Sequence, residues 1–296
     1  MSLEPVEKLM ADARRGGYAI GYFESWNLES LQGVLDAAEA VSAPIILGFN
    51  GEFLCHAGRR AAERLALYGA LGKAAAESSP MPCGLIFNEC PDDSWVLAAA
   101  ECGFNLVMPA DPQAPYDDYL RRVKRIVEFS HQRRVAVEAE LDELPCGASG
   151  RVEGEAALTD PARAERFVRE TGVDLLAVSV GNVHIRTSGE QALNLDHLAV
   201  LADRVRVPLV LHGGSGISAN SLKEAIRLGV AKVNYGTYVK QRYLAAVRAA
   251  IAANPSNPHE LLGLGGKYDV MVAGRLAVRA AVLERIEMLG CCGKAR

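Results

Sequence analysis

Two histidines stand where apolar runs give way to polar residues. Only six His occur in the 296 residues. His184 follows the run Leu175 to Gly181 through Asn182 and Val183, and His212 closes the run Pro208 to His212. Comparable runs end in Asn88-Glu89, in Glu138-Ala139-Glu140 and in Asn234. Two imidazoles joined by a carboxylate from one of these runs make a mixed nitrogen and oxygen site suited to zinc or another first-row divalent ion. The plainer alternative is a pair of hydrogen-bonded histidines. Directly after His212 come Gly213-Gly214-Ser215-Gly216, then a helical pattern from about Ala219. Glycine lets backbone N–H groups approach an anion, and a helix start adds partial positive charge, so this segment is a candidate phosphate cradle. A second polar segment, Asn234 with Gly236 and Thr237, is a candidate for the same ligand. His56, His131, His197 and His259 fall in helical or loop patterns and read as surface residues.

Residues so far apart in the chain need a scaffold that brings them together. Eight short apolar runs alternate with longer amphipathic stretches: Tyr18 to Phe23, Pro44 to Phe49, Cys83 to Asn88, Phe104 to Pro109, Arg134 to Glu140, Leu175 to Gly181, Pro208 to His212 and Ala231 to Tyr235. Asn27 to Val41, Tyr116 to His131 and Pro161 to Thr171 read as helices, the last opened by Thr159-Asp160-Pro161, a helix-start signal. Eight strands with helical crossovers predict an α/β fold, a (β/α)8 barrel whose chemistry lies at the C-terminal ends of the strands. A doubly wound sheet is the runner-up, but no GxGxxG follows the first run. Val270 to Leu289 reads as one further helix, and the whole chain, 1–296, as a single barrel domain.

Half of the residues are apolar and the formal charge is -4, so a full core is expected, and nucleic acid and anionic membrane are poor partners. The N-terminal residues lack the apolar core of a signal peptide and no apolar run reaches the length of a spanning helix, which predicts a cytoplasmic protein. Seven Cys with no CxxC pair suit reduced thiols. Cys291-Cys292, near the C-terminus, is the pair expected to oxidise.

At Pro208-Leu-Val-Leu-His-Gly-Gly-Ser-Gly216, with Lys232-Val-Asn234 one helix later, the sequence resembles the class II, metal-dependent ketose-bisphosphate aldolases. Tyr18 to Phe23 with Asn27-Leu-Glu29, Val137-Glu-Ala-Glu-Leu141, Leu158-Thr-Asp-Pro161, and Val178 to His184 extend the likeness over nearly the whole chain. The resemblance implies a lyase with a divalent metal, zinc first among the choices, and a monovalent cation as a further ligand. It implies His184 and His212 as metal ligands with Glu140 beside them, and Gly213, Gly214, Ser215, Asn234 and Thr237 as the residues that hold dihydroxyacetone phosphate. Family members are typically homodimers or homotetramers.

The departures from the family pattern fall at the proton-transfer positions. Its His-x-Asp-His segment reads Ile86-Phe87-Asn88-Glu89 here, so Asn88 stands for the acid/base Asp and Glu89 for a ligand His. Glutamate binds zinc, but an amide cannot shuttle a proton near neutral pH. The family's loop Glu is replaced in Pro145-Cys146-Gly147-Ala148, the Gly after the strand-six His is Ile185, and Ala110-Asp111-Pro112 replaces Asp-Gly-Ser. The available carboxylates are Glu89, Glu138, Glu153 and Glu155, the last two in a Gly-rich stretch placed to act as a lid. Asn88, Glu138 and Glu153 are accordingly the candidate catalytic residues, and Glu89, Glu140, His184 and His212 the candidate metal ligands. Reversible cleavage of a phosphorylated ketose is the expected reaction. Another metal-dependent lyase or isomerase reaction on a sugar phosphate, or non-catalytic binding of a phosphorylated ligand, are the alternatives.

Overall fold

Strands covered on both faces tolerate unbroken Val, Ile, Leu and Phe, which is why the apolar runs fold as a parallel sheet. The computed structural model describes residues 2–111, 113–142, 144, 157–183, 190, 192–253 and 256–295. Its strands are β1 (Ile20–Phe23), β2 (Ile45–Asn50), β3 (Cys83–Cys90), β4 (Leu106–Pro109), β5 (Ala136–Glu140), β6 (Leu175–Ala177), β7 (Leu209–Leu211) and β8 (Val230–Tyr235). They pair in chain order and close into a barrel, and every pairing is parallel. The eight strands are those expected, several of them shorter. Beyond Val178, whose N–H still reaches Val210 O, side chains replace strand partners: Thr159 Oγ1 takes the Ser179 N–H and Asn182 Oδ1 the Val180 N–H, both at 2.9 Å.

The helices are α1 (Val6–Gly16), α2 (Leu28–Ala40), α3 (Gly51–Leu54), α4 (Leu65–Ser78), α5 (Asp93–Ala99), α6 (Tyr116–His131), α7 (Pro161–Thr171), α8 (Leu195–Arg204), α9 (Ala219–Arg227), α10 (Thr237–Ala252), α11 (Pro258–Leu261) and α12 (Val270–Leu289). Their ends follow local chemistry. Asn27 and Ser30 form a capping box on α2, and Asp160 accepts the Arg163 N–H ahead of α7, which stops at Gly172 in the left-handed region. Each such cap satisfies N–H or C=O groups that have no partner within the helix. Helix α12 packs against α2 and α10, and Arg275 ties it down with a bidentate pair to Asp36 at 2.6 and 2.7 Å.

The free thiols among the described residues are Cys55, Cys83, Cys90, Cys102, Cys291 and Cys292. Cys291 is buried and burial pushes its thiol up to about 12, so of the pair expected to oxidise only Cys292 is exposed. No helix among the described residues is long and apolar enough to cross a membrane.

Candidate active site

The polar residues that end the strands gather at one end of the barrel around a cavity of about 900 Å³. Asn88, Glu89, Glu140, Gly213, Ser215, Asn234 and Thr237 all stand on its wall. Residues the sequence did not single out join them, among them Tyr22, Glu24, Asn50 and Lys240. Gly236 is also on the wall, but Tyr235 and Tyr238 turn away: Tyr235 stacks on Phe23 with ring centroids 5.2 Å apart, and the Tyr238 hydroxyl donates to Glu284. His184, Glu153, Glu155, Ile185 and the segment Pro145 to Ala148 lie outside the described residues.

Successive side chains on a strand point to opposite faces, yet Asn88 and Glu89 both line the cavity. The backbone supplies the reason. Glu89 has φ 52°, and the pairing of β3 with β4 shifts register between Phe87 and Cys90. A bulge of this kind re-aims a side chain, and a non-glycine residue held in the left-handed region marks a site where surrounding structure overrides a local cost of about 1–3 kcal/mol. Asn50, the strand neighbour of Asn88, donates to Glu89 Oε2 at 2.7 Å and holds the re-aimed carboxylate.

His212 is fully buried at the end of β7. Its Nδ1 faces Glu89 Oε1 at 3.2 Å and Glu140 Oε1 at 3.3 Å. Its Nε2 contacts Glu138 Oε1 at 3.0 Å. Glu138 is also fully buried and is gripped from below by Lys232, whose Nζ lies 2.8 Å from Oε2 and 3.1 Å from Oε1. The same Nζ donates to Asn234 Oδ1 at 2.6 Å. Burial opposes the Glu138 carboxylate, but Lys232 and His212 outweigh it and hold its carboxyl below the usual range. Burial likewise opposes a charged His212; Glu140, Glu138 and Glu89 outweigh it and raise its pKa well above the ordinary imidazole value. Glu138 therefore stands beneath His212, away from the cavity wall.

A tetrahedral shell with bonds of about 2.0–2.2 Å sets neighbouring donor atoms roughly 3.3–3.6 Å apart. The contacts of His212 Nδ1 with Glu89 and Glu140, at 3.2 and 3.3 Å, match two edges of such a shell. They also fit an imidazolium between two carboxylates, the state that the raised pKa describes for a protein without metal. Among the described residues no group of three or more His, Cys, Asp or Glu closes into a metal shell. A site built on this imidazole and these two carboxylates takes at least one further donor.

Beside this cluster, Gly213 has φ 66° and leads into the 3₁₀ turn Gly214–Gly216. Gly214 packs so tightly that a Cβ would meet Val233 at 2.7 Å and the Asn234 carbonyl oxygen at 2.9 Å, so it lies behind the wall and brings the turn close to β8. Helix α10 begins next to that turn with no side-chain cap and no acidic residue in its first turn. Ser215 Oγ accepts the Tyr238 N–H at 3.3 Å. A helix start whose N-cap Gly236 has no side chain, beside a glycine turn, is suited to an anion through its remaining N–H groups.

Among the described residues, Tyr22 Oη, Asn88 Oδ1 and Asn234 Nδ2 are the three buried polar atoms on the cavity wall with neither a hydrogen-bond nor an ion-pair partner. A buried polar group left unpaired costs about 1–3 kcal/mol. Three on one wall mark a place built for a polar ligand. The cavity has two cations among its described lining residues, and both are engaged: Lys240 with Glu24 at 2.5 Å and Arg163 with Asp142 at 3.3 Å.

Comparison with known proteins gives the family and the fold. Residues 4–294 match the family model for class-II fructose-bisphosphate aldolase. A fructose-bisphosphate aldolase from Geobacillus stearothermophilus is 33% identical over 298 residues, covering 100% of this chain and 99% of that protein. The solved structure of the YdjI aldolase from Escherichia coli K12 superposes with a TM-score of 0.82 at 31% identity, over 99% of this chain and 100% of that one. Fructose-bisphosphate aldolase from Campylobacter jejuni, at 21% identity and a TM-score of 0.75 over 98% of this chain and 95% of that one, shares the fold.

Proposed function

Because this chain belongs to the class-II fructose-bisphosphate aldolase family, we propose that it is a divalent-metal-dependent aldolase that reversibly cleaves a phosphorylated ketose to dihydroxyacetone phosphate and an aldehyde. The observation that carries this reading is the convergence of the Glu89, Glu140 and His212 cluster with three unpartnered polar atoms on one cavity wall. His212, Glu89 and Glu140 would hold the metal, with His184 as the further ligand. The bound ion supplies Lewis acidity toward a carbonyl oxygen.

The chain's own residues do the rest. Lys232 and Glu138 fix the imidazole from behind, so that Nδ1 is presented toward Glu89 and Glu140. The Gly213–Ser215 turn and the start of α10 take the phosphate. Asn234, its Oδ1 held by Lys232, offers its Nδ2 protons to a substrate oxygen. Asn88 positions a substrate hydroxyl without moving a proton, since an amide does not titrate near neutral pH. Lys232 itself is not a nucleophile toward the ketone: it is fully buried, bound to Glu138 and Asn234, and absent from the wall. Glu153, in the sequence between β5 and α7, is the carboxylate proposed to exchange the carbon-bound proton. The working protein is a homodimer or homotetramer located in the cytoplasm.

Metal-loaded protein incubated with dihydroxyacetone phosphate in deuterated water should exchange the C3 carbinol proton, read by NMR. A chelated sample and a His212→Ala variant should not. Protein that holds metal but exchanges nothing overturns ordinary aldolase chemistry on this substrate, in favour of another sugar-phosphate reaction or of binding alone.

A further inference from the structure

Tyr22 sits on β1 with its side chain only 2% exposed, in strand register with Asn234 of β8 and Ile46 of β2. The ring is held in place: Lys232 Nζ lies 5.3 Å from its centroid, the geometry of a cation over an aromatic face. The hydroxyl lies on the cavity wall without a hydrogen-bond partner among the described residues. A buried phenol is ordinarily paired, because leaving it unpaired costs about 1–3 kcal/mol. The fixed ring and the unpaired oxygen together describe a donor waiting for an acceptor that no described residue provides.

We propose that Tyr22 Oη is a substrate-binding donor of the reaction, holding a ketose oxygen as negative charge grows on it. The hydroxyl keeps its proton throughout. Burial and the charges of Glu24, Glu89 and Glu138 raise its pKa well above the usual phenol value, which suits a permanent donor and not a base. A neutral donor aimed at developing charge in a dry site acts most strongly in the transition state. With Asn88 unable to give up a proton, such a donor stabilises that charge without one. The inference rests on the reading above that a phosphorylated ketose occupies this cavity.

Tyr22→Phe removes one oxygen and preserves the ring. Tyr235→Phe is the matched control, since that hydroxyl is also buried and unpartnered but belongs to a ring stacked on Phe23, off the cavity wall. With metal loaded, Tyr22→Phe should lose about 10- to 150-fold in kcat for deuterium exchange into dihydroxyacetone phosphate, the size of a hydrogen bond to a charged group. KM should change less. Its Tm without ligand should equal or exceed that of the parent, because no protein partner is lost, and Tyr235→Phe should exchange at the parent rate. Exchange by Tyr22→Phe within twofold of an active parent overturns the inference and leaves the aldolase reading standing. A fall in Tm of more than about 3 °C, the mark of a structural hydrogen bond, also overturns it. A metal-loaded parent that exchanges nothing removes the aldolase reading and this role with it.

Discussion

The chemistry at His212 depends on a chain of contacts reaching into the barrel: Lys232 grips Glu138, Glu138 meets Nε2, and Nδ1 faces the other two carboxylates. A carboxylate on the second nitrogen of a metal-binding imidazole fixes its tautomer and orientation, and removing it typically costs 10- to 100-fold in metal affinity. Glu138→Gln should therefore bind zinc about 10- to 100-fold more weakly by competitive titration. It should also lose stability by about 3–5 kcal/mol in denaturant unfolding, because Lys232 is left as a buried cation. Lys232→Met strands Glu138 in the same way, so the double variant should be less destabilised than the two losses added together. Simple additivity would show that the pair does not act as a unit. In the sequence the polar ends Asn88, Glu89, Glu140, His212 and Asn234 were visible as interruptions of apolar runs, and all gather at the cavity or beside it. Tyr22 and the task of Lys232 were not. A tyrosine and the stem of a lysine both fit an apolar strand pattern, and only the closed barrel shows which way they face. The one signal in reach was a lysine inside the run Ala231 to Tyr235.

At the scale of elements, the β3 bulge converts two adjacent residues into two cavity residues, and the caps decide where the helices begin. Asp269 illustrates the second. It opens α12 by accepting the N–H groups of Met271 and Val272 on one oxygen and those of Gly263 and Gly265 on the other. These four donors hold its carboxyl below the ordinary aspartate value. A lowered folded-state pKa means the contribution is whole above the unfolded-state value of about 3.9 and is lost as pH falls through the lower folded value. Asp269→Asn keeps an oxygen for the helix N–H groups, since Asn caps as well as Asp, but loses the charge and the second oxygen that Gly263 and Gly265 share, and should lower stability by about 1 kcal/mol at pH 7. The Tm gap to the parent should close as the pH is taken below about 4. A gap that stays constant across that range would show that charge plays no part in the cap. The bounds of α6, α7 and α12 were legible because periodicity, caps and Asp-Pro or Gly signals agree locally. The β3 bulge was not legible, since a register shift is a relation between two strands and leaves no mark within one.

For the whole molecule, eight parallel pairings close the sheet through backbone hydrogen bonds and a continuous apolar core, and the His212 cluster lies at one end of it. On the proposed reading, metal would be a ligand of the folded state and no scaffold for it. Chelation should leave the far-UV circular dichroism unchanged and lower the Tm. Returning zinc at about 100 times its dissociation constant should restore about 2.7 kcal/mol. Unfolding on chelation alone would show instead that the metal holds the barrel together. By itself the sequence determined the barrel and the end of it that carries chemistry, because alternating apolar runs and capped helices are local patterns and the strand ends are where side chains can escape the core. The family likeness was also legible there, in the glycine turn after His212 and the Lys-Val-Asn run. Only the tertiary structure decided that Glu138 stands behind His212, that Glu89 turns to the same cavity as Asn88, and that Tyr22 presents an unpaired hydroxyl to it. Those facts depend on burial and register between residues far apart in the chain, which no local pattern encodes.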